Sequence, residues 1–129
     1  MSDIYVEETQ TTPEVNFDFR RGIFEIKGVS IPEDTEHFYS SILEKLEDYA
    51  RNLPTDKTQM NFKFIYINTS TSAVVAKIIK LLESINSVSH PVTVRWYYEE
   101  GDEDMRDLGY DFSTFTNLNF ILIPCQEIL

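Results

Sequence analysis

Two stretches near the start of the chain alternate apolar with polar residues, a pattern typical of strands with one buried face. Residues 15–19 read Val-Asn-Phe-Asp-Phe, and residues 23–27 read Ile-Phe-Glu-Ile-Lys. The short connection between them ends in Gly22, so the two stretches are predicted to pair as a β-hairpin. A shorter extended segment, residues 4–7, precedes the hairpin.

After the hairpin, the spacing of apolar residues changes from two to between three and four, which predicts helices. Gly28 and Pro32 are expected to break the second strand, and the first helix is predicted from about Asp34 to Asn52. A second helix has its apolar stripe at Val74, Ile78, Leu81, Leu82 and Ile85. A third, less regular helix is predicted over residues 102–116, where Gly109 is expected to interrupt it.

Three further stretches, residues 60–67, 92–98 and 119–123, have the apolar or β-branched content of strands. The first of them is nearly all apolar apart from Lys63, which favours a central strand covered on both faces. The second helix would connect the first two stretches as a right-handed βαβ unit. This order of elements predicts an α/β fold: one domain over residues 1–129, with a mixed sheet of about five to six strands and about three helices.

The charge balance argues against several classes of partner. The chain carries 22 acidic and 11 basic residues, a formal net charge of −11, which repels nucleic acid and anionic membrane surfaces. No apolar stretch approaches the ~20 residues of a membrane span, and the first residues lack the pattern of a secretion signal. We therefore expect a cytoplasmic protein.

The single cysteine, Cys125, excludes an internal disulfide and is expected to pack as a small apolar residue.

The join between the predicted central strand and the second helix is rich in hydroxyl groups. Asn68 is followed by Thr69, Ser70, Thr71 and Ser72, and we expect Asn68, Ser70, Thr71 and Ser72 to cap the helix or to flank a site there. A helix N-terminus has backbone N–H groups without intrahelical partners and a partial positive charge, so a phosphate is stabilised there. Thr69 and Ser70 are both suitable N-cap residues, yet a cap needs only one of them. Four consecutive hydroxyls therefore point to a regulatory or ligand site as well as a cap.

A second polar cluster follows the predicted strand at residues 92–98. It consists of Glu99, Glu100, Asp102, Glu103 and Asp104, with Asp107 shortly after. These carboxylates do not have the spacing of a calcium-binding loop, so a solvated loop that also caps the third helix is favoured. Two alternatives remain: a docking surface for a basic patch on a partner, and a site for a hard cation.

The sequence offers little for catalysis. His37 and His90 have no nucleophile in a recognisable frame, and both are interpreted as ordinary surface or loop histidines. The glycine-rich phosphate-binding motifs and the serine-nucleophile motif are absent, so no catalytic residue, metal or cofactor is assigned. A non-enzymatic regulatory protein is favoured. The alternative is a small acidic metal-binding protein or enzyme that uses residues 99–107.

Three segments together resemble one family. Residues 12–19 (Thr-Pro-Glu-Val-Asn-Phe-Asp-Phe), residues 66–70 (Tyr-Ile-Asn-Thr-Ser) and residues 96–105 (Trp-Tyr-Tyr-Glu-Glu-Gly-Asp-Glu-Asp-Met) are similar to motifs of the SiaC family of bacterial regulatory phosphoproteins. The resemblance extends over nearly the whole chain in the same order. It implies a fold broadly similar to the STAS-like domains of anti-sigma-factor antagonists.

The resemblance also implies a partner-switching pathway. A serine/threonine protein kinase would phosphorylate the protein, a PP2C-type phosphatase would reverse this, and only the unmodified form would engage its effector. In the best-known branch of the family the effector is a diguanylate cyclase, which links the protein to cyclic-di-GMP and biofilm regulation. By the same resemblance, the threonine of the Asn-Thr-Ser motif is expected to be the phosphosite, which here is Thr69.

Overall fold

Strands and helices alternate along most of the chain in the computed structural model, which describes residues 3–129. In chain order the elements are β1 (Ile4–Val6), β2 (Glu14–Asp18), β3 (Ile23–Ser30), α1 (Thr35–Asn52), β4 (Thr58–Ile67), α2 (Thr69–Ile85), β5 (Val92–Glu99), α3 (Glu103–Thr114) and β6 (Asn119–Cys125). The predicted α/β fold, with a mixed sheet of five to six strands and three helices, is confirmed.

The six strands form one sheet whose spatial order, β1-β2-β3-β4-β5-β6, is the order of the chain. Strands β1, β2 and β3 pair antiparallel, while β3 to β6 pair parallel. The predicted hairpin between β2 and β3 is confirmed, with Gly22 at a φ of +66° in its turn. Successive right-handed crossovers that advance in one direction place their helices on the same face of the sheet. All three helices are therefore expected on one face.

The burial pattern of β4 agrees with this one-sided arrangement. Met60, Phe62 and Phe64 are buried and face the helices, whereas the residues that alternate with them are polar: Gln59 and Lys63 are half-buried and Asn61 is buried. The expectation that this strand is covered on both faces is wrong. The run of residues 58–67 contains polar residues at a spacing of two, which is the pattern of a strand with one face toward the core.

Two boundary residues behave differently from the prediction. Gly28 does not end β3; the strand continues to Ser30 through a register shift between Gly28 and Val29. The φ of +113° at Gly28 is a conformation that L side chains rarely adopt, so glycine allows the irregularity there. Asp34 lies just before α1 and caps it, because its Oδ1 accepts a hydrogen bond of 3.0 Å from the backbone N–H of His37.

Gly109 does not interrupt the third helix, which is continuous and ends at Thr114. The glycine instead lets the helix lie against the buried indole of Trp96: a Cβ atom at position 109 would be 2.3 Å from Trp96 Cδ1. The indole N–H of Trp96 donates a hydrogen bond of 2.9 Å to the carbonyl oxygen of Met105. Gly109 is therefore a packing requirement of the contact between α3 and β5.

The two histidines and the cysteine lie in different surroundings. His37 is exposed on α1, as expected, whereas His90 is a loop residue that is buried, with its Nε2 2.8 Å from Thr58 Oγ1. Cys125 is half-buried at the end of β6, and burial raises the pKa of its thiol. None of the helices within residues 3–129 combines the length and apolar character needed to cross a membrane.

Candidate functional site

The hydroxyl-rich segment lies where β4 ends and α2 begins. Asn68 is the N-cap of α2, with extended backbone angles of φ −89° and ψ 175°. Its Oδ1 accepts a hydrogen bond of 2.9 Å from the N–H of Thr71. Thr69, Ser70 and Thr71 are consequently the first three residues of the helix. Of the residues predicted to cap the helix or to flank the site, Asn68 is the cap, whereas Thr69 and Ser70 are not.

Thr71 is fully buried and belongs to a hydrogen-bonded group that connects three elements. Its hydroxyl donates to the carbonyl oxygen of Ser30 at 3.1 Å and lies 2.9 Å from Ser30 Oγ. Ser30 Oγ in turn lies 2.7 Å from the hydroxyl of Tyr39. Burial raises the pKa of Tyr39 to about 12, so its hydroxyl stays protonated at a pH that would ionise an exposed tyrosine. This buried hydroxyl network (Ser30, Tyr39 and Thr71) fixes the start of α2 against β3 and α1.

The exposed hydroxyls of the segment differ in their contacts. Ser70 Oγ lies 2.6 Å from Thr35 Oγ1 and donates to Asn68 Oδ1 at 3.1 Å. Thr69 is also exposed, but its hydroxyl has no hydrogen-bond partner within residues 3–129. Ser72 is half-buried, and its backbone N–H donates to the carbonyl oxygen of Asn68. Thr69 thus presents the hydroxyl that a modifying enzyme can reach without breaking a contact.

The electrostatics at the start of α2 favour an added anion. The first turn of α2 carries no acidic residue, whereas the first turn of α1 contains Glu36. The backbone N–H groups of Thr69 and Ser70 have no acceptor in the described part of the chain, residues 3–129. A phosphate on Thr69 would lie next to these donors and to the positive end of the helix dipole.

A groove of about 480 Å³ adjoins this segment and runs between α1 and α2. Thr35 and Ser70 line one end of it, while Leu43 and Val74 contribute apolar surface. The charged residues that line the groove are Glu36, Glu44, Glu47 and Lys77. The exposed Thr69 therefore lies beside a concave, partly apolar groove between two helices, which is the kind of surface that an amphipathic helix of a partner can occupy.

The acidic segment after β5 lies at the same edge of the sheet, because parallel strands β4 and β5 both end there. Two of its carboxylates have structural partners within the domain. Asp102 caps α3 by accepting a hydrogen bond from the N–H of Met105, and Glu99 Oε2 accepts one of 3.0 Å from the N–H of Ile128. The remaining predicted docking residues, Glu100, Glu103 and Asp104, are exposed. In residues 3–129 no group of three acidic, histidine or cysteine side chains is placed to hold a metal ion.

Comparison with known proteins identifies the family. The sequence profile of the SiaC family regulatory phosphoproteins matches residues 6–125. The chain belongs to the SiaC family. An uncharacterised protein of Pseudomonas aeruginosa strain UCBPP-PA14 is 27% identical over 127 residues, which cover 98% of this chain and all of that protein.

Solved structures of a SiaC protein share the fold of this SiaC family member. The structure of apo-SiaC from Pseudomonas aeruginosa matches with a TM-score of 0.85 at 24% identity, over 95% of this chain and 99% of that one. A second structure, of the diguanylate cyclase SiaD in complex with its activator SiaC from the same organism, matches with a TM-score of 0.88 at 23% identity, over 95% and 100% of the two chains. At this level of identity the likeness establishes the fold.

Three residues of the site were not predicted from the sequence of this SiaC family member: Ser30, Thr35 and Tyr39. Ser30 and Tyr39 hold Thr71 in the buried hydroxyl network, and Thr35 contacts Ser70. Each belongs to an element far from Thr69 along the chain, and nothing in its local sequence indicates a polar contact. Only the packing of β3, α1 and α2 brings them together.

Proposed function

We propose that this protein is a non-enzymatic regulatory phosphoprotein, and that reversible phosphorylation of Thr69 controls its binding to an effector. The observation that carries the proposal is the exposed hydroxyl of Thr69 at the first position of α2, without a hydrogen-bond partner in residues 3–129. Membership of a family of regulatory phosphoproteins supports it. Thr71, by contrast, is buried and bonded.

The pathway requires two modifying enzymes. A serine/threonine protein kinase transfers the γ-phosphoryl group of ATP to Thr69 Oγ1; the hydroxyl loses its proton and ADP leaves. A PP2C-type phosphatase then directs water onto the phosphorus, which restores the hydroxyl and releases inorganic phosphate. We place both enzymes and their substrate in the cytoplasm.

The proposed effector is a diguanylate cyclase, which the unmodified protein binds and activates. A complex between SiaC of Pseudomonas aeruginosa and the diguanylate cyclase SiaD supports this choice. The output would be a change in cyclic-di-GMP. We infer that the effector covers Thr69 and the neighbouring end of the groove between α1 and α2.

The physical effect of the phosphate falls on binding and not on folding. At a helix N-terminus the phosphate is stabilised locally by about 0.3 to 2 kcal/mol, so the domain stays folded. Burying the same dianion under a partner that offers no cation costs several kcal/mol, and each ~1.4 kcal/mol is tenfold in affinity. A single phosphate can therefore abolish binding while the melting temperature changes little.

Two measurements test the proposal. The first is intact-mass analysis and peptide mapping of the protein from its native cells, where one added phosphate on Thr69 is expected. The second compares unmodified and phosphorylated protein, together with Thr69→Val and Ser70→Ala, for binding to the diguanylate cyclases of the source bacterium and for cyclic-di-GMP synthesis. Unmodified, Thr69→Val and Ser70→Ala proteins should bind and activate one cyclase, and the phosphorylated protein should not.

Other results would contradict the proposal. Phosphate on Ser70 or Ser72 alone would assign the switch to a different residue. If the phosphorylated protein still binds the cyclase, the phosphate does not control binding. A purified native protein with a bound divalent metal and no phosphate would favour the alternative of a metal-binding protein or enzyme that uses residues 99–107.

The exposed carboxylates Glu100, Glu103 and Asp104 are proposed as a docking surface for a basic patch on the partner. Their replacement by Gln, Gln and Asn should slow association at low salt and have less effect at high salt, because charge steering acts mainly on the association rate. A control variant that neutralises Glu7, Asp56 and Asp111, which are also exposed, should associate faster than the variant at Glu100, Glu103 and Asp104. Equal association rates for the two triple variants would refute this role.

A further inference from the structure

A cavity of about 280 Å³ lies at the edge of the sheet opposite Thr69, where β4 and β5 begin. Arg21, Lys57 and Arg95 contribute three cationic side chains to its wall, and Gln59 and Thr93 add uncharged polar groups. Among the described residues, no carboxylate side chain lines it. We call it the basic cavity.

The basic cavity is unusual in a chain with twice as many acidic as basic residues. Where carboxylates are in such excess, a cation has many opportunities to form an ion pair. Within residues 3–129, neither Lys57 nor Arg95 has a carboxylate within 4.0 Å, and Arg21 reaches Asp18 only at 4.0 Å. The basic cavity therefore retains most of its positive charge.

Arg95 supplies a second observation that is independent of charge. The residue lies on β5, on the sheet face opposite the buried Val94 and Trp96, and pairs across the sheet with Asn61 and Ile121. Its Nε atom is buried and has no hydrogen-bond partner within residues 3–129. A buried donor without an acceptor is costly, particularly on a charged group, so a rotation of the Arg95 side chain that brings this donor to a bound anion would remove that cost.

The wall of the basic cavity is held in place by the backbone. Gly22 accepts a hydrogen bond of 2.8 Å from the N–H of Gln59, and the N–H of Thr58 donates to the carbonyl oxygen of Pro91 at 3.1 Å. A Cβ atom at position 22 would be 2.6 Å from the carbonyl oxygen of Lys57, so the hairpin turn packs closely against this wall. The backbone of this wall therefore loses little conformational freedom when a ligand binds.

We propose that the basic cavity binds a small phosphate-bearing anion. A guanidinium fork and an ammonium group are the side chains that recognise phosphate oxygens, and Arg95 still has a free donor. A volume of about 280 Å³ suits a phosphate or diphosphate group better than a whole nucleotide. This site does not depend on the phosphorylation of Thr69, which lies at the other edge of the sheet.

The test is a two-dimensional ¹H–¹⁵N NMR titration of the full chain with orthophosphate, pyrophosphate and GTP. Pyrophosphate should shift the amide signals of Gly22, Lys57 and Gln59 saturably. Lys57→Gln should weaken the affinity about tenfold or more, because it removes a charge-assisted contact. Arg95→Lys, which keeps the charge and loses the Nε donor, should also weaken it, whereas Lys80→Gln on the exposed side of α2 should not.

The three anions distinguish the source of the phosphate. If GTP shifts the same amides as pyrophosphate with similar affinity, the group is bound as part of a nucleotide; if orthophosphate or pyrophosphate binds better, the free anion is the ligand. Thermal melts verify that each variant is folded. If Arg95→Lys does not fold, the affinity of Lys57→Gln for pyrophosphate is the test of the proposal. The absence of saturable shifts up to about 10 mM would overturn the proposal. Equal weakening by Lys57→Gln and Lys80→Gln would also overturn it.

Discussion

Replacing Thr71 or Thr69 by valine separates the structural role of one hydroxyl from the regulatory role proposed for the other. Valine has nearly the shape and β-branching of threonine, so each substitution removes a hydroxyl and changes little else. Thr71→Val is expected to destabilise the fold and to leave phosphorylation intact. Thr69→Val is expected to do the reverse.

The magnitudes follow from the contacts of the two hydroxyls. Thr71 donates to the carbonyl oxygen of Ser30 at 3.1 Å and contacts Ser30 Oγ at 2.9 Å, both in a fully buried environment. Loss of buried hydrogen bonds of this kind costs about 1 to 3 kcal/mol. For a chain of 129 residues this lowers the melting temperature by roughly 4 to 12 °C. Thr69 is exposed, so Thr69→Val should change the free energy of unfolding by about 0.5 kcal/mol or less.

The assay combines urea unfolding, followed by far-UV circular dichroism, with phosphorylation by the cognate kinase. Thr71→Val should have a lower urea midpoint at an unchanged slope and should still accept one phosphate. Thr69→Val should have the wild-type midpoint and accept none. Similar midpoints for the two variants would refute the structural reasoning about the buried hydroxyl network. Phosphorylation of Thr69→Val would refute the assignment of the phosphosite.

Two further predictions concern stability. Gly109→Ala places a Cβ atom 2.3 Å from Trp96 Cδ1, so it should destabilise the protein by about 1 to 3 kcal/mol and alter the near-UV circular dichroism of the indole; a neutral effect would mean that α3 is free to shift. Tyr39 should make stability depend on pH, because burial raises its pKa from 10.0 to about 12 and the folded state keeps a proton that the unfolded chain loses. The contribution of the protonated Tyr39 to the free energy of unfolding is complete below pH 10. It is lost as the pH rises to about 12, which lowers the free energy of unfolding by up to about 3 kcal/mol. Urea midpoints should therefore fall less steeply over that range in Tyr39→Phe than in wild type, and parallel slopes would contradict the assignment.

Much of the fold could be predicted from the sequence because its signals are local. The alternation in residues 15–19 and 23–27 gave the hairpin, and Asp34 lies next to the first residue of α1. The coverage of β4 was predicted wrongly, although Asn61 and Lys63 already have the spacing of a strand with one polar face. Gly109 was also misjudged, since its role depends on an indole that only the tertiary packing places beside α3.

The hydroxyls at the start of α2 show where local reasoning ends. In the sequence Thr69 and Thr71 are equivalent hydroxyl residues two positions apart. They differ because Thr71 faces Ser30, which lies 41 positions earlier in the chain, while Thr69 faces solvent. The family resemblance pointed to Thr69, and its exposed hydroxyl without a hydrogen-bond partner in residues 3–129 is consistent with that assignment. Its modification stays a prediction.

The coincidence of strand order and chain order has a consequence for how the protein is made. Each strand after β1 adds to the edge left by the strand before it, so no strand has to be inserted between two that have already paired. The sheet can therefore grow in the direction of synthesis. Ser30, Tyr39 and Thr71 all precede the end of α2, so the parts that hold the hydroxyl segment are available before α3 and β6 emerge from the ribosome. A nascent chain can thus bring the parts of the proposed switch together before its last strand has emerged from the ribosome.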